Sequence, residues 1–303
     1  MAIVSIGKIS SVKVNAISEE RGLEGKMAFD KRILDMYKAK GYDGAPKTKE
    51  ESVARGVKGF NGLSSSVVEL ERNNLKYGWE NLTVHLAPAR YLYSQAMRDY
   101  VKENKLGIEE MQRISPKMAN VSLLVPIGYG NSYYLLAQVK GEALGQGQIL
   151  AALAAGGVDA KHLSGEKNPL IAALKAECSE EVGLDLTTVN SESFAFFVDE
   201  YELGNVNFAA VAMRVELQQI LDAYDKSARA KLANKEKLEV AGLALLPIQG
   251  QLGEVKCFFP SPTGLQEKME KREVRPYTLA VREHLANGEN LNILLNKADL
   301  LPW

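Results

Sequence analysis

The chain has 303 residues, enough for one large domain or two of ordinary size. At 46% hydrophobic and 25% charged it has the composition of a folded globular protein, not of a disordered one. With 37 basic against 38 acidic residues, a net charge of -1 lacks the positive balance of a general nucleic-acid binder or a membrane-surface protein.

The opening residues, Met1 to Val14, lack a long apolar core followed by a small-residue cleavage site, so no signal peptide is expected. No apolar run approaches the roughly 20 residues that span a bilayer. Cys178 and Cys257 are too few for a disulfide framework, which predicts buried thiols in a reducing, cytoplasmic setting. His85, His162 and His284 lie far apart and lack Cys/His ligand spacing, so no structural zinc site is expected.

In chain order, Ile3–Ile9 and Val12–Ile17 read as strands. Short helices flank the Ala45-Pro46 loop, and Leu82–Leu86 reads as a strand ended by Pro88. Tyr91, Tyr93, Met97 and Val101 recur at helical spacing within a predicted helix Arg90–Lys105, and a second short helix is predicted at Gly107–Arg113. A boundary near Pro116–Asn120 divides residues 1–117, a mixed α/β N-terminal extension, from residues 118–303. Val121–Ile127 and Tyr133–Val139 then form a predicted hairpin about Gly128-Tyr129-Gly130-Asn131. Gly145-Gln146-Gly147 reads as a turn, since no Gly-Lys-Ser/Thr follows it to make a phosphate loop. The apolar run Gln148–Ala155, ended by Gly156-Gly157, fits strand or helix equally well. Beyond it come a helix Asn168–Val182, strands at Phe194–Val198 and Phe208–Val215, a polar helix Gln218–Asn234 and a strand Val240–Pro247. A last helix opens at Pro276 and runs to about Ala286, using the tolerance for proline in a first turn. Strands interleaved with helices predict an α/β or α+β fold.

The helix at Asn168–Val182 carries the chemistry. Leu170, Ile171, Leu174, Cys178 and Val182 share one side of the helical wheel, which is expected to be buried. Glu177, Glu180 and Glu181 stand at i, i+3 and i+4 beside that face. Gly183 is placed to end the helix in a left-handed conformation, with Leu184 folding back as its apolar partner. Three carboxylates here oppose helix formation. Like-charge neighbours cost about 0.2–0.5 kcal/mol per pair, and each carboxylate at the negative end of the helix dipole costs roughly 0.3–1 kcal/mol. Lys175 is the one cation nearby in sequence. A hard divalent cation such as Mg²⁺ or Mn²⁺ would reverse these terms, whereas a solvated acidic patch is the plainer reading.

The segment from Glu177 to Leu184 resembles the second half of the Nudix box, whose pattern runs Arg-Glu-aliphatic-any-Glu-Glu-any-Gly-aliphatic. Glu177, Glu180 and Glu181 match its metal-binding glutamates, Cys178 the aliphatic position, and Gly183-Leu184 the closing pair. Gly156-Gly157 is similar to the glycine turn leading into the box; Gly165-Glu166, Pro169 and Ala172-Ala173 are similar to its run-in. The pattern is broken at Ala176, where the family has arginine, commonly an orienting partner for a box glutamate. It is also broken at Asn168, where the first box glutamate would fall, and at His162, where the first box glycine would fall.

The resemblance implies a Nudix-like α/β/α sandwich with a mixed sheet over residues 118–303. It further implies a Mg²⁺- or Mn²⁺-dependent pyrophosphohydrolase cleaving a nucleoside diphosphate linked to another moiety. A catalytically impaired nucleotide-binding or regulatory module is the alternative. Metal ligands would be Glu177, Glu180, Glu181 and a backbone carbonyl at Ala155 or Gly156. The general base would be Glu181, or else Glu239 or Glu236 in the acidic segment before the late strand. Asp199, Glu200 and Glu202 read as solvated hairpin residues. The implied partner is a small nucleotide, with no membrane and no nucleic acid; homodimers are common in the family.

Overall fold

The computed structural model describes residues 3–20, 30–57, 60–107, 110, 117–141, 149–164, 168–186, 194–200, 205–211 and 216–298. It is a mixed α/β protein of two compact units. The first unit comprises residues 1–120, 157–173 and 197–208, and the second 121–156, 174–196 and 209–303. The expected helix Gly107–Arg113, the turn 145–147, Gly165-Glu166 and Glu202 lie wholly or mostly outside the described residues.

The first unit is built on long strands. β1 (Ile3–Ala16) is a single strand where the sequence suggests two; it runs parallel to β3 (Trp79–Arg90), which is antiparallel to β2 (Leu63–Asn74). Along β3 residues alternate in and out, with Leu82, Val84 and Leu86 buried, as a half-buried strand requires. β4 (Lys117–Tyr129), β8 (Phe194–Glu200) and β9 (Asn205–Val211) complete the order β4-β2-β3-β1-β8-β9. β9 pairs back to β4, closing a six-stranded mixed barrel.

β3 does not stop at Pro88 as expected; it continues to Arg90, with Pro88 opposite Ser65 of β2. The β1 pairing ends at Ala16↔Leu86, and Ile17 N donates to Leu86 O. Beyond that point β3 lacks its β1 neighbour, so a residue without an N–H fits there. α1 (Lys31–Ala39), α2 (Lys49–Ala54) and α3 (Leu92–Asn104) bear out the expected helices. Ile33 and Tyr37 of α1 pack with Tyr93, Ala96 and Met97 of α3 in one apolar cluster. Asp30 and Thr48 cap α1 and α2 by accepting from Arg32 N and Glu51 N.

In the second unit, β4 and β5 (Ser132–Lys140) form the expected hairpin, with Gly130 at φ 61° in its two-residue turn. The apolar run after it resolves into two short strands, β6 (Leu150–Ala152) on β5 and β7 (Ala154–Gly157) on β4. β10 (Val240–Pro247) lies between β5 and β11 (Glu254–Ser261); with neighbours on both edges its near-continuous apolar sequence is buried. β12 (Gly264–Lys271) follows β11 as an exposed outer strand. α4 (Pro169–Val182) bears the three glutamates, and α5 is Leu217–Ala233. α6 (Pro276–Ala286) has Pro276 in its first turn, and α7 (Gly288–Ala298) follows it. Among the described residues no helix is long and apolar enough to cross a membrane.

Candidate functional site: the glutamates of α4

Asn168 starts α4 by accepting from Leu170 N at 3.0 Å, satisfying one of the orphan donors of the first turn. Leu170, Ile171, Leu174, Cys178 and Val182 are all buried, as the helical wheel predicts. At the other end Gly183 adopts φ 73°, and Leu184 N donates to Cys178 O at 3.1 Å. Gly183 N itself donates to Ser179 O at 3.2 Å, the single closing bond of an αL helix ending.

The three glutamates have different surroundings. Glu181 is buried, and its two oxygens are taken by three donors. Lys140 Nζ is 2.7 Å from Oε1, while Gln138 Nε2 and Ala155 N donate to Oε2 at 3.1 and 2.9 Å. Lys140 and Glu181 side chains are each 4% exposed. Desolvating two charges is costly, and only a pair this close with its remaining lone pairs engaged offsets that cost. Lys140, from the strand, is therefore the cation that answers Glu181. It closes β5 one residue beyond the expected strand Tyr133–Val139; the signal was the two-residue spacing of Gln138 and Lys140, which puts both on one face of β5.

Glu177 is half-buried beside Gly156, close enough that a Cβ built at Gly156 would lie 2.1 Å from the Glu177 carboxylate. β7 thus presents Ala155 N to one glutamate and the bare backbone of Gly156 to the other. The structure brings Glu177, Glu181 and Gly156 together. Glu180 is exposed on the flank, where its backbone carbonyl accepts from Lys231 Nζ. Cys178, between the glutamates on the buried face, has its thiol pKa pushed up by burial first and by the Glu181 and Glu177 carboxylates next.

Glu239 joins the surroundings through its backbone. Its carbonyl accepts from Gly141 N at 2.7 Å, next to Lys140, while its side chain is exposed. Glu236 is also exposed, with Oε1 3.4 Å from Asn234 Nδ2. Asp199 and Glu200 fall on β8.

Glu177 and Glu180 offer hard oxygens of the kind Mg²⁺ or Mn²⁺ selects. Three donors take three of the roughly four lone-pair sites of Glu181, leaving Oε1 with one donor and room for little more. Gln138 Oε1 is buried without a hydrogen-bond partner among the described residues, an acceptor next to the same carboxylate. No protein-family model matches the chain, and no curated protein sequence matches it.

Proposed function

We propose that residues 118–303 form a divergent Nudix-like domain and that the chain is a metal-dependent pyrophosphohydrolase. Its substrate class is a nucleoside diphosphate linked to another moiety. The observation that carries this reading is the convergence of Glu177 and Glu181 on the Ala155-Gly156 backbone. That is the placement expected if a glycine turn and a glutamate helix serve one cation. A Mg²⁺ or Mn²⁺ ion held there would neutralise charge on phosphoryl oxygens and lower the pKa of bound water. Glu177, against Gly156, is the side chain best placed to hold it, with Glu180 on the flank as the next carboxylate along the helix. Lys140 supports Glu181 from the strand, a role the resemblance gives to the arginine replaced by Ala176. Glu239 is the candidate general base, being exposed and next in space to the strand that carries Lys140. The two free, buried thiols suit a reducing, cytoplasmic setting.

One observation favours the second reading, a nucleotide-binding module without turnover: the three donors that already occupy most of Glu181. The discriminating experiment is release of nucleoside monophosphate, the product of that cleavage, from a panel of nucleoside diphosphate derivatives with Mg²⁺ or Mn²⁺, comparing wild type with Glu177→Gln. Turnover that needs the metal and is lost in the variant supports the hydrolase. Saturable Mn²⁺ binding, lost in Glu177→Gln, without turnover on any substrate supports the binding module. Neither turnover nor Mn²⁺ binding ends both.

A further inference from the structure

A second group of ligating side chains lies in the first unit. Glu69 and Glu71, two residues apart on β2, point to the same face of the sheet. His85 of β3 sits directly opposite Glu69 in register, and Asn15 of β1 sits directly opposite His85. Three neighbouring strands therefore present Asn15, His85 and Glu69 in one line, with Glu71 diagonal to the imidazole.

This alignment depends on an irregularity in β2. Val67 pairs with Leu86 and Glu69 with His85, so two steps on β2 match one on β3. The extra residue, Val68, is a bulge; without it Glu69 would fall on the other face from His85.

The ligand atoms of Glu69, Glu71 and His85 already lie within 4.8 Å of one another. His85 Nε2 is 3.3 Å from Glu71 Oε1 and 3.4 Å from Asn15 Nδ2. The amide of Asn15 can equally be turned to aim Oδ1 at the imidazole, adding a fourth donor atom. Glu69 has no ion pair or hydrogen bond among the described residues although it stands opposite the ring. The same face of β1 carries Lys13, opposite Thr83.

We propose that this face binds a divalent transition-metal ion, with His85, Glu69 and Glu71 as protein ligands. One imidazole nitrogen with carboxylate oxygens suits Zn²⁺, Co²⁺ or Ni²⁺, whereas Mg²⁺ favours oxygen alone. Metal–ligand distances of about 2.0–2.2 Å around a tetrahedral ion set ligand atoms about 3.3–3.6 Å apart, a spacing His85 Nε2 and Glu71 Oε1 already have at 3.3 Å while Glu69 stands farther off. Glu69 and Glu71 are exposed, so rotation of their side chains closes the gap. The strands supply a rigid base for the site.

Titration of the full chain with Co²⁺, followed by calorimetry and visible absorption, tests the proposal. Wild type is expected to bind an equivalent of Co²⁺ that His85→Ala weakens by about 100-fold and Glu69→Gln by about tenfold, since losing even an outer partner of a metal site costs about 10–100-fold. Glu177→Gln is expected to leave that equivalent intact, which keeps this site separate from the helix glutamates. A measurement on wild type needs no variant to fold. With three histidines in the chain, the His85 imidazole signal is expected to be the one shifted and broadened by substoichiometric Co²⁺. Absence of such an equivalent, its survival in His85→Ala, or a shift only at His162 or His284 would overturn the proposal.

Discussion

Lys140 and Glu181 form an ion pair of 2.7 Å with both side chains 4% exposed, and the carboxylate also accepts from Gln138 and the Ala155 backbone. Removing one partner of such a pair leaves a buried charge uncompensated, which costs about 3–5 kcal/mol. Lys140→Met is therefore expected to lower stability by that amount in urea denaturation. The double variant Lys140→Met/Glu181→Leu is expected to recover much of it, because neither charge then remains. Losses that simply add would show that the two side chains act independently.

Gly156→Ala and Gly141→Ala are expected to behave differently. At Gly156 the added methyl meets the end of the Glu177 side chain, which can swing away. Stability should change by less than about 1 kcal/mol, while Mn²⁺ affinity falls because the carboxylate is displaced. At Gly141 the methyl meets the backbone carbonyl of Leu238 at 2.1 Å, which cannot yield without moving the chain. That substitution should cost about 1–3 kcal/mol or more. Melting curves and Mn²⁺ titration on both variants check the contrast.

Gly183→Ala should destabilise through two effects. Its φ of 73° costs an alanine roughly 1–2 kcal/mol, and the new methyl would sit 2.7 Å from Ser227 Cβ. Retention of full stability would mean that the end of α4 rearranges.

Stability is expected to fall as pH rises above about 9. Burial pushes the Cys178 thiol well up, raises Cys257 less strongly, and raises Tyr224; Tyr42, half-buried and donating to Asp99, is pushed up to about 12. The unfolded thiols ionise near ~8.5 and the phenols near ~10. Above those values the unfolded chain releases protons that the folded chain still holds, so stability present below them is lost. Urea midpoints measured from pH 7 to 10.5 check the slope. The same burial predicts that neither thiol reacts with iodoacetamide until the chain unfolds.

Local chemistry made several elements legible. The turn at Gly130-Asn131 fixes the β4–β5 hairpin, Pro276 opens α6, and Gly183 with Leu184 ends α4. The β11–β12 hairpin was not read: Lys268, Lys271, Glu267 and Glu270 make β12 too polar for an apolar alternation to show, and an exposed outer strand tolerates that. Pro88 looked like a stop because only the pairing shows that β3 has lost a neighbour there. The three glutamates were legible as a group, but their inequality was not. Which of them is buried depends on Lys140, 41 residues away, and on the Ala155 amide. His85 was passed over because its carboxylate neighbours come from a strand whose register is set by one inserted residue.

The path of the chain between the two compact units bears on how the protein is made. The first unit uses residues 1–120, but also 157–173 and 197–208. A ribosome that has released the first 120 residues has delivered only part of what that unit needs, and completion waits until Phe208 has emerged. By then much of the second unit's sequence is also outside the tunnel. Cutting the gene near residue 120 would give two fragments, one of them missing its own last strands, so each half is best expressed in the presence of the other.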